Sequence, residues 1–465
     1  MAETEKQINT TADTICAIST PHGTGGIAVA RICGTDALRI ADSIWKGCQL
    51  ASAQSHSAHL GTILDSNGMP LDQGVATVFR APRSYTGEDT VELSVHGSIW
   101  IQRELLASLC NAGCRLAEPG EFTRRAFMNG RLDLTEAEAV ADMIASSSRA
   151  AHRVAMNHLR GGFSKRLDDL REQLLQLASL VELELDFSEE EVEFASRTQL
   201  RLLATELHAE LTRLCRSFRT GAAIKQGIPV AIIGATNAGK SSLLNALVGD
   251  QRAIVSDIHG TTRDIVEDSA EIGDYLFRFL DTAGLRHTED TIEQIGIERS
   301  RDAARRARII LLVCDSTALP DAQALDIASK CPDAHIILVA NKCDLPESAA
   351  PGLSDAAIRL GATQVEISAK TGSGIEQLRQ LLVEAVDSET SSDAELLVTN
   401  ARQAQALSEA AESTSRVING LESGLSGDFI AQDIRQTIHA LNEVSGTITT
   451  PDILQNIFTR FCIGK

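Results

Sequence analysis

Positive charge is in short supply in this chain. Its 465 residues carry 43 Lys and Arg against 63 Asp and Glu, a formal charge of −20 at pH 7. A protein this acidic does not coat nucleic acid through its overall field, although a local basic patch or a partner can still hold one. Paired cysteines are missing as well. Ten are scattered along the chain, yet no CxxC occurs and no His stands at zinc-ligand spacing from them. This excludes a disulfide scaffold and reads as isolated thiols in a reducing compartment. No basic stretch followed by an apolar one marks a secretory signal. The longest apolar runs, such as 309–314 and 336–340, fall far short of a membrane span. A cytoplasmic protein with no membrane role is expected. What is present is ordinary globular composition, 43% hydrophobic and 23% charged, with a length that suggests roughly three domains.

Three textures follow one another. From 13 to about 120, short runs rich in β-branched residues (IAVARI, TVELSV) alternate with helical stretches such as 101–110, which predicts an α+β domain. From about 132 the periodicity is helical. Thr135 and Glu138 stand at capping-box spacing there, and helix is expected to about 220, broken by an acidic run at 186–193. From 229 to about 386 strands and helices alternate as in a parallel sheet with crossover helices, and helical composition then returns. The expected division is an N-terminal domain over 1–130, an inserted α/β domain over 222–387, and one helical domain made from 131–221 and 388–465.

The inserted segment carries the chemistry. Gly234-Ala-Thr-Asn237-Ala238-Gly239-Lys240-Ser241, followed by Ser242, fits a phosphate-binding loop between the strand VAII and a helix-forming run. Its glycines let backbone N–H groups approach phosphates, Lys240 can reach the β- and γ-phosphates, and Ser241 can hold Mg²⁺. Asp281-Thr282-Ala283-Gly284 ends a second strand, and the loop Gly260-Thr261-Thr262-Arg263-Asp264 precedes that strand, with Thr262 the choice for a second Mg²⁺ ligand. Asn341-Lys342-Cys343-Asp344 ends another strand; a carboxylate there accepts from both N–H donors of guanine, which adenine lacks. Ser368-Ala369-Lys370 can close over the base. The five elements, in this order, resemble the translation-factor-like GTPases. Leu285 follows the DTAG element where a Ras-type switch has Gln, so another group must organise the attacking water. Asn237, Arg263, Arg286, Glu289, Asp290 and Glu293 are the candidates. Arg299, Arg301, Arg305, Arg306 and Arg308 read as a solvated helix face.

Outside this block, Arg31 and Glu92 are charges inside apolar strands and point either to solvent or to a pocket. Cys462, three residues from the end, reads as part of a frayed terminus unless docked. The segments STPHGTGGIAVARICG, YTGEDTVELSVHG and PGEFTRRAFMNGRLDLTEAEAVADMI, the GTTRD loop and the terminal FCIGK together resemble the MnmE (TrmE) family of tRNA-modification GTPases, over about 13–465. The resemblance implies an N-terminal domain that dimerises and binds a reduced folate, a helical domain, and an inserted Ras-like P-loop GTPase domain. It implies a homodimer that joins an FAD-containing MnmG-type partner in a heterotetramer. Acting on tRNA, that complex adds an aminomethyl or carboxymethylaminomethyl group at C5 of the wobble uridine, with 5-formyl- or methylene-tetrahydrofolate as one-carbon source. It implies K⁺ on Asn237, Ser256, Ile258 and Thr261, pairing of G domains, and Glu293 as general base. Folate contacts match Arg31, Glu92 and Lys465, with Arg131 where the family has lysine; a planar fork there replaces a point charge. The family's essential thiol matches Cys462. A GTPase switch that only binds, for example in ribosome assembly, is the alternative.

Overall fold

A computed structural model describes residues 13–186, 197–249, 268–280, 293–345, 352–388, 396–459 and 461–465, with the side chains of 183–186 and 293–297 outside the description. The chain divides into two compact units, Met1–Ala141 with Leu441–Lys465, and Asp142–Ala440.

The first unit is built on a seven-stranded sheet: β1 Ile15–Ile18, β2 Ile27–Cys33, β3 Trp45–Lys46, β4 Ser57–Leu64, β5 Pro70–Phe79, β6 Thr90–His96 and β7 Arg115–Leu116, in the order β3-β4-β5-β6-β2-β1-β7. Side chains alternate between the two faces of a strand. One face of β2, β5 and β6 presents Ala30, Ile32, Ala76, Val78, Val91 and Leu93 to a core that includes residues of the helices Ala37–Ser43 and Ile99–Asn111. The opposite face holds a smaller apolar cluster of Ile15, Ala17, Cys33, Ala117 and Phe122. By the same alternation, Arg31 and Glu92 stand on this second face.

The helix Leu134–Ala145 starts earlier than its sequence signature suggests. Asp133, not Thr135, is the capping residue: its carboxylate accepts from the Glu136 backbone N–H at 2.8 Å, and the Glu136 carboxylate accepts from the Asp133 N–H at 2.8 Å. Thr135 and Glu138 are buried inside the helix instead. The C-terminal segment is docked rather than frayed. Thr450 caps the helix Pro451–Phe458, and Phe458 and Phe461 pack ring to ring at 5.4 Å, both buried. Gly120, at φ +67, faces them; a Cβ there would press on the Phe458 carbonyl and both side chains.

The second unit contains a six-stranded sheet: β8 Ile228–Gly234, β9 Asp268–Ile272, β10 Tyr275–Leu280, β11 Ile309–Asp315, β12 His335–Asn341 and β13 Thr363–Glu366, in the order β13-β12-β11-β8-β10-β9. Five strands are parallel, but β9 pairs antiparallel with β10. Only Gly273 and Asp274 separate those two strands, too short a link for a crossover, so a hairpin forms at the edge. The central strands β8, β11 and β12 bury both faces, as their continuous apolar runs require. Among the described residues the unit also contains long helices. Leu200, Ala204, Leu207, Leu211 and Leu214 make a buried stripe at helical spacing on Arg197–Gln226, which packs lengthwise against Ala401–Ser423.

Candidate active site

The carboxyl ends of β8, β11 and β12 converge on one cleft, the place where open parallel sheets bind ligands. At the end of β8, Gly234 has φ +150, and a Cβ on it would collide with the Val313 carbonyl of the neighbouring strand. The loop then turns through Asn237 at φ +64 and Gly239 at φ +93 into the helix Lys240–Val248. Asn237 is exposed at the loop tip, Ala238 is buried beneath it, and Ser241 and Ser242 lie in the first helical turn. The Lys240 ammonium donates to the carbonyls of Gly234 at 2.8 Å and Ala235 at 2.7 Å. Burial lowers its pKa, opposed by the field of Asp321. A cation held by neutral carbonyls at a helix N-terminus is a receptor for an anion.

Asn341, 2% exposed at the end of β12, ties two loops together. Its amide nitrogen donates to the Ala238 carbonyl at 2.9 Å, and its amide oxygen accepts from the Ala369 N–H at 3.0 Å. A Cβ on Gly239 would collide with this amide, so the loop needs glycine there. Lys342 has φ +68 and pairs with Asp315 at 2.8 Å. The exposed Asp344 carboxyl is held below the ordinary range by a hydrogen bond with the Ser368 side chain, with Lys370 adding its charge. Gly239, Ser242, Asn341, Lys342, Asp344 and Lys370 are among the residues lining an open cleft of about 640 Å³, a volume suited to a small molecule. Asp315 belongs to no sequence motif; its position at the carboxyl end of the parallel strand β11 is the one signal that points to it.

Several expected site residues fall outside the described residues: Ser256, Ile258, Thr261, Thr262, Asp281, Thr282, Ala283 and Gly284, together with Arg263, Leu285, Arg286, Glu289 and Asp290. Glu293 begins the helix Glu293–Arg306, its side chain likewise outside the description. In the basic cluster, Arg308 is not on a solvated face. It is buried, donates to the Thr220 hydroxyl at 2.7 Å, and has its pKa pushed down to about 10 by burial and the nearby Arg219.

A second polar site lies in the first unit. Arg31 and Glu92 stand directly opposite in the antiparallel β2–β6 register. The guanidinium donates from Nε at 2.9 Å and lies 2.8 Å away through Nη2. The Tyr85 and Phe122 rings flank it, with centroids at 5.4 and 5.5 Å. The pair therefore satisfies itself rather than pointing to open solvent. The docked tail brings Lys465 to the same place: burial lowers its pKa most, Arg31 adds to this, and Glu92 opposes it. Gly464, at φ +97, lies so close to the Ile18 carbonyl that a Cβ would collide with it, and its own carbonyl accepts from the Ser19 hydroxyl at 3.1 Å. Cys462 is exposed on this tail. Arg131 is exposed, its stem lying against Gly87; among the described contacts none joins it to Arg31, Glu92 or Lys465. Arg125 is committed elsewhere, buried among Asp13, Glu88 and Glu121.

Among the described residues no group of three or more His, Cys, Asp or Glu side chains is placed to hold a metal, and no helix is long and apolar enough to cross a membrane. A glycine-rich lysine loop between a parallel strand and a helix, with Asn-Lys-x-Asp at the end of a second parallel strand, defines a P-loop nucleotide-binding protein of the GTPase type. Comparison with known proteins narrows this. The family model described as the MnmE helical domain matches residues 134–462, and that of the GTP-binding protein TrmE N-terminus matches 14–131. The tRNA modification GTPase MnmE of Parabacteroides distasonis is 51% identical over 461 residues, covering 97% of this chain and 100% of the relative. Its namesake from Porphyromonas gingivalis is 49% identical over 466 residues, covering 97% of this chain and 98% of the relative. The chain belongs to the MnmE (TrmE) family of tRNA-modification GTPases.

Proposed function

We propose that the cleft at the ends of β8 and β12 binds GTP and that its hydrolysis drives modification of tRNA at C5 of the wobble uridine, adding an aminomethyl or carboxymethylaminomethyl group. The observation carrying this reading is the half-buried Lys240 ammonium, held only by loop carbonyls among its described hydrogen bonds, in a loop that Asn341 ties to the Ala369 backbone. A triphosphate supplies the charge that the ammonium lacks. Lys240 holds the β- and γ-phosphate oxygens, the backbone of Asn237, Ala238, Gly239, Lys240, Ser241 and Ser242 cradles them, and Asp344 reads guanine with Asn341, Lys342, Ser368, Ala369 and Lys370 around the base. Asp281, Thr282, Ala283 and Gly284 complete the phosphate end. The Ser241 hydroxyl is a hard oxygen donor suited to Mg²⁺, with Thr262 as second ligand. The exposed amide of Asn237 suits K⁺, with Ser256, Ile258 and Thr261. When bound, these ions supply positive charge at the phosphates. Glu293 orients the water that attacks the γ-phosphate.

In the first unit, the Arg31 guanidinium and the Lys465 ammonium are cations suited to the anionic tail of a reduced folate, 5-formyl- or methylene-tetrahydrofolate. Arg31, Glu92, Arg131 and Lys465 are its contacts, and Cys462 is the catalytic thiol. When bound, the folate supplies a one-carbon unit. The protein works in the cytoplasm as a homodimer within a heterotetramer with an FAD-containing MnmG-type partner, which contributes to tRNA contact and so offsets the acidity of this chain. The domains are an N-terminal domain over 1–130, a G domain over 222–387 and a helical domain from 131–221 and 388–465.

Turnover of GTP measured in K⁺ and Na⁺ buffers of matched ionic strength tests the hydrolytic half: a steep rise with K⁺ alone is expected, lost in Asn237→Ala, and equal rates in the two salts would remove the cation from the mechanism. Nucleoside mass spectrometry of tRNA from a deletion strain tests the other half. Unchanged wobble uridines there would leave a GTPase switch that only binds.

A further inference from the structure

Asp315 belongs to no nucleotide-binding motif, yet it pairs with Lys342 in the loop that carries Asp344. Lys342 sits between Asn341 and Asp344 with its backbone in the left-handed region, at φ +68. A long side chain adopts that conformation only where its surroundings impose it. The loop is held from two sides: the Cys343 N–H donates to the Ile367 carbonyl at 3.1 Å, and further contacts come from the end of β11. Asp315 Oδ2 lies 2.8 Å from the Lys342 ammonium. Asp315 Oδ1 is already committed to Thr317, accepting from its N–H at 3.1 Å and its hydroxyl at 2.9 Å, so the carboxylate has a fixed orientation. Next to it the Ser316 N–H donates to the Asn341 carbonyl at 2.7 Å. The loop after β11 and the loop after β12 are thus joined by one backbone bond and one ion pair, both immediately before Asp344.

We infer that Asp315 is a positioning residue for guanine selectivity: by anchoring Lys342, with Thr317 orienting the carboxylate, it holds the Asp344 loop where its carboxylate can meet both donors of the base. The inference rests on the nucleotide reading of this cleft. Asp315 itself need not touch nucleotide. Inosine nucleotides lack the 2-amino donor of guanine, so the ratio of GDP to IDP affinity reports how well Asp344 is placed. A pair that served only to hold the fold together would lower stability and leave that ratio alone.

The test is equilibrium binding of GDP and IDP to the full-length protein. Asp315→Ala should weaken GDP binding by about tenfold and bring the GDP to IDP ratio towards one, and in turnover assays the loss should fall in KM rather than kcat. Lys342→Ala should give the same ratio, and the double variant should be no worse than Lys342→Ala, because the two residues act through one contact. Asp315→Glu should recover part of the preference. Thr317→Val keeps the carboxylate and the backbone N–H bond to it and removes only the hydroxyl donor; it should shift the ratio the same way by less, and it serves where Asp315→Ala fails to fold. An unchanged ratio in a folded Asp315→Ala or Thr317→Val variant, or losses that multiply in the double variant, overturns the inference. A wild-type protein that binds neither GDP nor IDP overturns the nucleotide reading as well, which separates the two failures.

Discussion

The two polar sites are assembled in opposite ways. The cleft proposed for nucleotide is made from short contiguous segments at the ends of β8 and β12, and much of it is backbone: loop carbonyls hold Lys240, and Asn341 fastens one loop to another through main-chain groups. The site in the first unit is made from single side chains at positions 31, 92 and 465, brought together by strand register and by a tail docked through Phe458 and Phe461. A site of the first kind leaves a compact word in the sequence. A site of the second kind leaves isolated letters, whose meaning depends on a register and a docking that no local pattern states.

The largest expected effect separates the sites outright. Lys240→Ala removes the only side-chain cation that the phosphate loop contributes, and turnover of GTP should fall by about 10²–10³, the scale of losing one preorganised charge donor. Titration of the same variant with 5-formyltetrahydrofolate should be unchanged. A parallel loss of folate binding would mean that the sites are not independent. Asp344→Asn comes next. It replaces an acceptor by a donor opposite the guanine edge, so GTP binding should weaken by roughly 5–100-fold and xanthosine triphosphate binding should improve. Unchanged GTP affinity would place the base elsewhere.

Removing Lys465 breaks the other side of the comparison. Arg31 and Glu92 would keep each other, but the tail's cation would be gone, and reduced-folate affinity should fall by about tenfold with GTP turnover intact. Gly464→Ala should act in the same direction through position alone, because a Cβ there meets the Ile18 carbonyl. If folate binds Gly464→Ala as well as wild type, the docked tail is not part of the site.

The same contrast explains how much of the molecule could be read from its sequence. The parallel strands were legible because strands buried on both faces must be continuously apolar, as Ile309–Asp315 and His335–Asn341 are. The antiparallel β9 was not, since DSAEI is a half-polar edge strand whose direction is set by a two-residue link. The phosphate loop and the Asn-Lys-x-Asp segment were legible as words. Asp315 was not, because its role comes from lying beside β12 in the sheet. Whether Arg31 and Glu92 face solvent or a pocket stayed open, because a cross-strand partner is invisible until register is known. Thr135 and Glu138 mimicked a capping box while Asp133 and Glu136, two residues earlier, formed it.

The smallest expected effect belongs to neither site and calibrates both. Glu210, on the helix Arg197–Gln226, accepts from Arg213 at 2.9 and 2.7 Å and from Arg166 at 2.9 and 2.7 Å. The Arg213 hydrogen bond is the largest influence on its carboxyl; burial opposes it, the Arg166 hydrogen bond reinforces it, and the pKa falls from an ordinary 4.5 to about 2. The folded-state value lies below the unfolded one, so the stabilisation is fully present above about 4.5 and is lost as pH falls towards 2. Glu210→Gln has no such titration. Urea midpoints of wild type and variant should differ most above pH 4.5 and converge as pH approaches 2, while GTP turnover and folate binding at neutral pH stay as in wild type. A difference between the two midpoints that does not change with pH would show that the Glu210 charge contributes nothing, and that the two arginines act there only as packing.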